Sequence, residues 1–193
     1  MPISKNAYLT TAEMTENVDY LYPLFYNAGW TLHAISAMFG NMQKESTINP
    51  GIWQGLKKNL NLGFGLTQWT PATKLINWAS AQGLDYTDID VQVQRILYEV
   101  PLSSSIGQWI PTKTYPLSFT EFTQSEDDLD YLTYTFMYDY ERPKNKNQPE
   151  RKTYAKYWYE YLSGSEPPKP SPSPSPSPTH YSSMPFLLYL RKR

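Results

Sequence analysis

The sequence predicts a mainly α domain of the α+β kind, in which a small β-hairpin forms one wall of a cleft. Apolar residues recur every three or four positions through most of residues 10–163, which is the spacing of a buried helix face. Several of these stretches begin with a helix-capping residue. Residues 50–70 are instead rich in glycine, asparagine and aromatic residues, which indicates loop and short hairpin strands. We therefore assign residues 1–165 to one domain.

The first two predicted helices form a tight hairpin. Thr10 and Glu13 make a capping-box pattern at the start of the first helix, and Gly29 ends it where a left-handed residue is favoured. Thr31 caps the second helix only two residues later. The buried face of the first helix is predicted to consist of Met14, Val18, Leu21, Phe25 and Ala28.

The second helix carries the candidate catalytic residue, Glu45. Asn49-Pro50 ends this helix, because a residue before proline disfavours the helical region. Apolar surroundings and the negative end of the helix dipole would both disfavour an ionised Glu45, which suits a general acid. A solvated surface residue is the commoner role for a glutamate near a helix end. The apolar stripe that leads to Glu45 consists of Leu32, Ile35, Met38 and Met42.

Five further helical stretches follow residues 50–70. The first is predicted to begin at Thr70-Pro71, as an N-cap followed by proline at the first helical position, and to end at Gly83. Within residues 50–70, glycines on both sides of Phe64 indicate a strained turn or a close approach of ligand to backbone, although an ordinary glycine-rich hairpin fits equally well. The other four helical stretches are predicted to begin at Thr87, Ser118, Leu129 and Pro149.

Composition and charge exclude several classes of function. A net charge of −1 over 193 residues gives no reason to expect nucleic acid or an anionic membrane as partner. The absence of cysteine excludes disulfides and thiolate chemistry, and two histidines are too few for a His-rich metal centre, so no metal or cofactor is expected. No stretch approaches the ~20 apolar residues of a spanning helix, so stable membrane insertion is not predicted. An aromatic content of 16% favours carbohydrate, because aromatic rings stack on apolar sugar faces.

The composition changes after Gly164. Residues 166–178 alternate proline with serine and are predicted to form an extended polyproline-type linker, reaching on the order of 40 Å. Residues 179–193 form a short C-terminal tail, for which a disordered segment and a docking peptide are both open. The N-terminus lacks a charged stretch followed by an apolar one, so no secretory signal is predicted. Such a protein would act outside its cell after lysis, through a holin or as part of a particle.

Three motifs, at residues 40–51, 63–70 and 140–143, together resemble the phage tail lysozyme domain of short-tailed phages of Gram-positive hosts. The resemblance implies a lysozyme-like fold and hydrolysis of the β-1,4 bond between N-acetylmuramic acid and N-acetylglucosamine, with Glu45 as catalytic residue. The implied partners are peptidoglycan glycan strands and phage tail knob or tube proteins. The implied location is the virion tail tip, with an antimicrobial action on the host wall. A zinc endopeptidase module, common in such tail-tip proteins, cannot fit in residues 179–193.

Residues 47–83 contain no aspartate or glutamate, so the hairpin offers no second carboxylate to the far face of the sugar. If Thr67 and Gln68 line the cleft, they could orient a water or hold an N-acetyl group. Glu141 is the strongest candidate for a distant second acid, although an internal salt bridge with Arg142 is favoured. The aromatic residues expected to stack on saccharide rings are Trp53, Trp69 and Tyr140.

Three classes of function remain open at this point. The first is a glycoside hydrolase that uses water, which we expect to invert the anomeric configuration because no nucleophile faces the sugar. The second is a lytic transglycosylase, which needs the same single glutamate but gives 1,6-anhydro products. The third is a wall-binding tail-tip protein without turnover, against which the combination of Glu45 with Thr67 and Gln68 speaks.

Overall fold

Seven α-helices are found in residues 1–164, the part of the chain that the computed structural model describes. The predicted linker at 166–178 and tail at 179–193 lie outside the described residues. Within residues 1–164, no helix combines the length and the apolar composition that crossing a membrane requires. The helices are α1 Thr11–Asn27, α2 Leu32–Ser46, α3 Thr73–Ser80, α4 Ile89–Glu99, α5 Phe119–Gln124, α6 Leu129–Phe136 and α7 Glu150–Ser163.

Helix α2 is the centre of the fold and packs against α1, α5, α6 and α7. Thr31 caps it as predicted, since its hydroxyl accepts a hydrogen bond from the Ala34 amide at 3.1 Å. Every residue from 34 to 42 is buried, and not only those of the predicted stripe. Such all-round burial requires neighbours on every side of the helix, as in the core of a bundle.

Helices α2 and α7 come into close backbone contact at Gly40. A Cβ atom at this position would lie 2.6 Å from both the Ala155 amide nitrogen and the Arg151 carbonyl oxygen. Only glycine permits that approach of one backbone to another. The contact brings the last turn of α2, which carries Glu45, beside the first turn of α7, which carries Arg151.

The observed helix boundaries can be compared with those that the capping patterns predict. The capping boxes predicted at the starts of α1 and α5 are both confirmed, and Gly29 ends α1 with a φ of 87°. The start predicted at Thr70-Pro71 is wrong, because α3 begins at Thr73. The Thr70 hydroxyl donates to the Gln68 carbonyl at 2.9 Å, and the N-cap position of α3 is occupied by Ala72.

The small β-hairpin predicted within residues 50–70 is not seen. Residues 47–72, here called the cleft loop, contain one 3-10 turn, Gln54–Leu56, and two isolated β-bridges, from Trp53 to Phe64 and from Phe64 to Trp69. Residues with left-handed φ interrupt the extended backbone that a strand pair needs. These residues are Thr47, Ile48, Gly55, Leu56, Gly65 and Gln68.

Side-chain amides hold the cleft loop where a ladder of strand hydrogen bonds was expected. Gln92, buried in α4, donates to the Pro50 carbonyl at 2.8 Å and to the Tyr86 carbonyl at 3.0 Å. Its own carbonyl accepts a hydrogen bond from the Leu66 amide at 2.9 Å. Buried backbone groups need hydrogen-bond partners, and this one side chain is the partner of three such groups.

An aromatic cluster fixes the segment after α6. Trp109 stacks on Phe119 with ring centroids 4.5 Å apart, and Phe136 stacks on Tyr140 at 4.7 Å. All four rings are buried. Because Tyr140 belongs to a π-helical turn, Met137–Glu141, the cluster also determines where Glu141 lies.

Candidate active site

The end of α2, the cleft loop and the segment after α6 enclose a cleft of about 650 Å³. Five predicted site residues line it: Glu45, Trp53, Thr67, Gln68 and Glu141. The cleft loop therefore forms the wall that the sequence assigned to a hairpin. The remaining lining residues are Tyr8, Ile52, Gln54, Gly55, Thr70, Lys74, Gln108, Arg142, Pro143 and Lys144.

Glu45 forms an ion pair with Arg151 of α7. The Glu45 side chain is 23% exposed, whereas that of Arg151 is only 1% exposed. The guanidinium also donates to the Asn41 side-chain oxygen and to the Gln148 side-chain oxygen, both at 2.9 Å. Glu45 thus has a fixed cation beside it, so the predicted apolar surroundings are only part of its environment.

Arg151 was missed in the sequence, although a signal for it exists. It lies four, seven and eleven residues before Ala155, Trp158 and Leu162, the buried face of α7. An arginine on an apolar helical stripe is unusual, because a buried charge needs a partner. The pattern alone does not say that the partner is Glu45, which is 106 residues away.

Glu141 ends the π-helical turn, and one of its carboxyl oxygens is buried without a hydrogen-bond partner among the described residues. Burial raises the pKa of this carboxyl group well above its usual range, and the charge of Glu45 raises the pKa further. The predicted salt bridge to Arg142 is absent from residues 1–164. Arg142 instead donates to the backbone carbonyls of Gln108 and Asp139.

Trp69 and Tyr140 do not line the cleft, which corrects the expectation that they stack on saccharide rings. Both are only 1% exposed and belong to the hydrophobic core. The Tyr140 hydroxyl donates to a carboxylate oxygen of Glu99 at 2.6 Å, and Arg95 pairs with the other oxygen at 2.7 Å. The Tyr140 hydroxyl is therefore used by the Glu99–Arg95 ion pair, and the Tyr140 ring is covered by the aromatic cluster.

Three predicted site residues of the cleft loop line the cleft but have few side-chain atoms free to contact a ligand. They are Trp53, Thr67 and Gln68. Trp53 is 7% exposed, and Phe64 covers its ring at 4.5 Å between centroids. The Gln68 amide nitrogen donates to two carbonyls of the cleft loop, at 3.1 and 3.0 Å, so only its side-chain oxygen is left for a ligand. Thr67 is 3% exposed. Within residues 1–164, no group of three or more His, Asp or Glu side chains is arranged to hold a metal ion.

Comparison with known proteins agrees with the motifs. A family model for the phage tail lysozyme matches residues 16–162. Morphogenesis protein 1 of Bacillus phage B103 is 51% identical over 135 residues, which is 69% of this chain and 36% of that protein. The chain thus spans about a third of the length of this curated relative. The chain belongs to the phage tail lysozyme family.

Proposed function

We propose that this chain is a peptidoglycan hydrolase that cleaves the β-1,4 bond between N-acetylmuramic acid and N-acetylglucosamine. It would act from the tail tip of a virion, held by tail knob or tube proteins, on the wall of the host. The observation that carries the proposal is the position of Glu45. Of the two carboxyl groups that line the cleft, Glu45 is the one that Arg151 holds in a fixed place. The family match and the phage relative support the same assignment.

In the proposed reaction, Glu45 protonates the glycosidic oxygen. Its ion pair with Arg151 fixes the orientation of the carboxyl group, and a bound glycan would displace water from its exposed quarter. General acid catalysis of this kind contributes about 10²- to 10⁴-fold.

Glu141 is proposed to act as a neutral neighbour and not as the nucleophile. Burial raises its pKa well above the usual range and so favours the protonated form, and a protonated carboxyl group is a poor nucleophile toward the anomeric carbon. A water would then attack from the cleft-loop side, where residues 47–83 supply no carboxylate. The Gln68 side-chain oxygen and the Thr67 hydroxyl are the candidates to orient that water. The product would be a reducing N-acetylmuramic acid of inverted configuration.

Mass spectrometry of fragments released from purified walls tests this proposal. A hydrolase gives reducing ends, whereas attack by the sugar's own 6-hydroxyl gives anhydro ends that are lighter by one water. Anhydro ends as the main product would make the chain a transglycosylase. Binding to walls without any released fragment would make it a wall-binding protein.

A further inference from the structure

Three cationic side chains line the same cleft as Glu45: Lys74, Arg142 and Lys144. Neither of the two carboxyl groups of the cleft forms an ion pair with any of the three. Glu45 is already paired with Arg151, and Glu141 has no salt bridge among the described residues. Although the whole chain has a net charge of −1, this part of its surface is therefore locally positive.

None of the three cations has a carboxylate partner within residues 1–164. Two of them converge on Gln108 instead: Lys74 donates to its side-chain oxygen at 3.1 Å, and Arg142 donates to its backbone carbonyl. The Gln108 amide nitrogen is tied in turn to the Tyr140 carbonyl at 3.1 Å. Neutral oxygens thus position these two positive charges without neutralising them.

Like charges held close together destabilise each other until an anion arrives. The pKa of Lys74 is lowered, first by burial and then by the positive charge of Arg142. Other cations of the described chain, such as Lys5, Lys44 and Lys156, have acidic partners on the surface. A bound anion in the cleft would relieve the repulsion and use both the ammonium and the guanidinium groups as donors.

We propose that Lys74, Arg142 and Lys144 form an anion subsite that binds a carboxylate carried by the muramic acid residue of the glycan. This inference rests on the proposed function, because it takes the substrate to be peptidoglycan. Muramic acid bears a lactyl group that N-acetylglucosamine lacks, and this group ends in a free carboxylate or continues into a stem peptide with carboxylates of its own. The subsite would therefore tell the two alternating sugars apart.

The test compares three soluble glycan strands: strands with stem peptides, strands stripped by an amidase to leave the lactyl carboxylate, and strands whose carboxylates are capped with glycinamide. The full chain is compared with Lys74→Gln/Lys144→Gln and with Lys113→Gln, an exposed lysine outside the cleft. Arg142 is left unchanged because it also holds two backbone carbonyls. Affinity is measured by calorimetry in a Glu45→Gln background, and kcat/KM is measured in the active chain.

We expect the double variant to lose about five- to tenfold in affinity on uncapped strands and nothing on capped ones, with Lys113→Gln unchanged. Capping should lower the affinity of the parent chain to that of the double variant. An equal loss on capped and uncapped strands, or no loss on either, would overturn the subsite. A preference that survives amidase treatment assigns the contact to the lactyl carboxylate, and one that disappears assigns it to the stem peptide. Charge-dependent binding without turnover would refute the hydrolase while leaving the subsite intact.

Discussion

The two walls of the cleft are built by different physical means. One wall is the end of α2, a regular helix that carries Glu45 and packs against α7. Two ion pairs join these helices: Glu45 with Arg151, and Lys44 with Glu150 at the surface. The opposite wall, the cleft loop, has almost no regular structure. It is held partly by a few backbone hydrogen bonds of its own, such as Gln54 to Gly63 at 2.9 Å, and partly by amide side chains from other segments that bond its backbone directly.

Three such amides show the pattern in the loop wall. Asn17 of α1 donates to the Ile48 carbonyl at 2.8 Å, and Asn6 accepts from the Trp53 amide at 3.0 Å. Gln92 of α4 satisfies three backbone groups. Each amide carries both a donor and an acceptor, so one side chain can replace part of a strand ladder. The backbone of a cleft wall can be held in a fixed position without a β-sheet, provided that enough side-chain amides form hydrogen bonds with it.

The largest expected effect concerns the helix wall. Glu45→Gln should lower turnover by about 10²-fold or more, because it removes the transferable proton and keeps the shape. Turnover on purified walls is measured by release of reducing ends. Circular dichroism should stay unchanged, since Arg151 keeps its bonds to Asn41 and Gln148. Glu160→Gln, an exposed position of α7, is the matched control. A Glu45→Gln variant that clears walls at the parent rate would rule out Glu45 as the acid.

The next effect concerns the loop wall. Gln92→Leu should lower the free energy of unfolding by about 2–4 kcal/mol, because it leaves one amide and two carbonyls without partners. The control is Gln82→Leu, which loses a single hydrogen bond to the Trp78 carbonyl and should cost less than about 1 kcal/mol. Denaturant unfolding measures both variants. Equal losses would mean that amides do not hold the loop.

A pH-dependent effect is expected at Glu141. Because its pKa is raised in the folded state, the unfolded chain releases this proton first, and the stability of the parent declines as pH rises above about 4.5. Each pH unit costs up to about 1.4 kcal/mol until the folded group ionises. Glu141→Gln should flatten this decline in thermal melts between pH 5 and 8, and it should keep turnover near neutral pH.

The outcome at Glu141 also separates its two roles. Retained turnover together with a flatter stability profile is expected for a neutral neighbour of Glu45. A loss comparable to that of Glu45→Gln would instead make Glu141 a catalytic carboxyl group, and retention of the anomeric configuration would then be the product outcome to look for.

The smallest effect is expected outside both walls. We propose that residues 1–165 alone keep full activity on isolated walls, because α7 ends at Ser163 and both walls are built from residues before it. Turnover of this fragment is compared with that of the full chain on soluble glycan. A fragment that unfolds or loses most of its turnover would show that residues 166–193 contribute to the domain.

Sequence patterns predict the structure of the helix wall much better than that of the loop wall. The caps of α1, α2 and α5 are local features that the structure confirms. In the stripe leading to Glu45, Ile35, Met38 and Met42 are buried and Leu32 is half-buried. The cleft loop depends on contacts with distant residues, such as Leu66 with Gln92. Alternating glycine and aromatic residues are common to hairpins and to irregular loops, so the pattern could not exclude the second. The burial of Trp69 and Tyr140 likewise follows from packing that no local pattern encodes.

The contact at Gly40 has a consequence for protein engineering. Replacing a mid-helix glycine with alanine is a standard route to a more heat-resistant enzyme, because alanine favours the helix by about 0.5–1 kcal/mol. At Gly40 the added methyl group would collide with the backbone of α7 and push Arg151 away from Glu45. A thermostability programme for this domain should therefore leave position 40 alone. The glycines with open space around them, Gly29, Gly55 and Gly83, are no better choices, because their left-handed φ angles would strain any other residue. Helix propensity and the contact between Glu45 and Arg151 make opposite demands on this one position, and the sequence keeps the glycine that the contact requires.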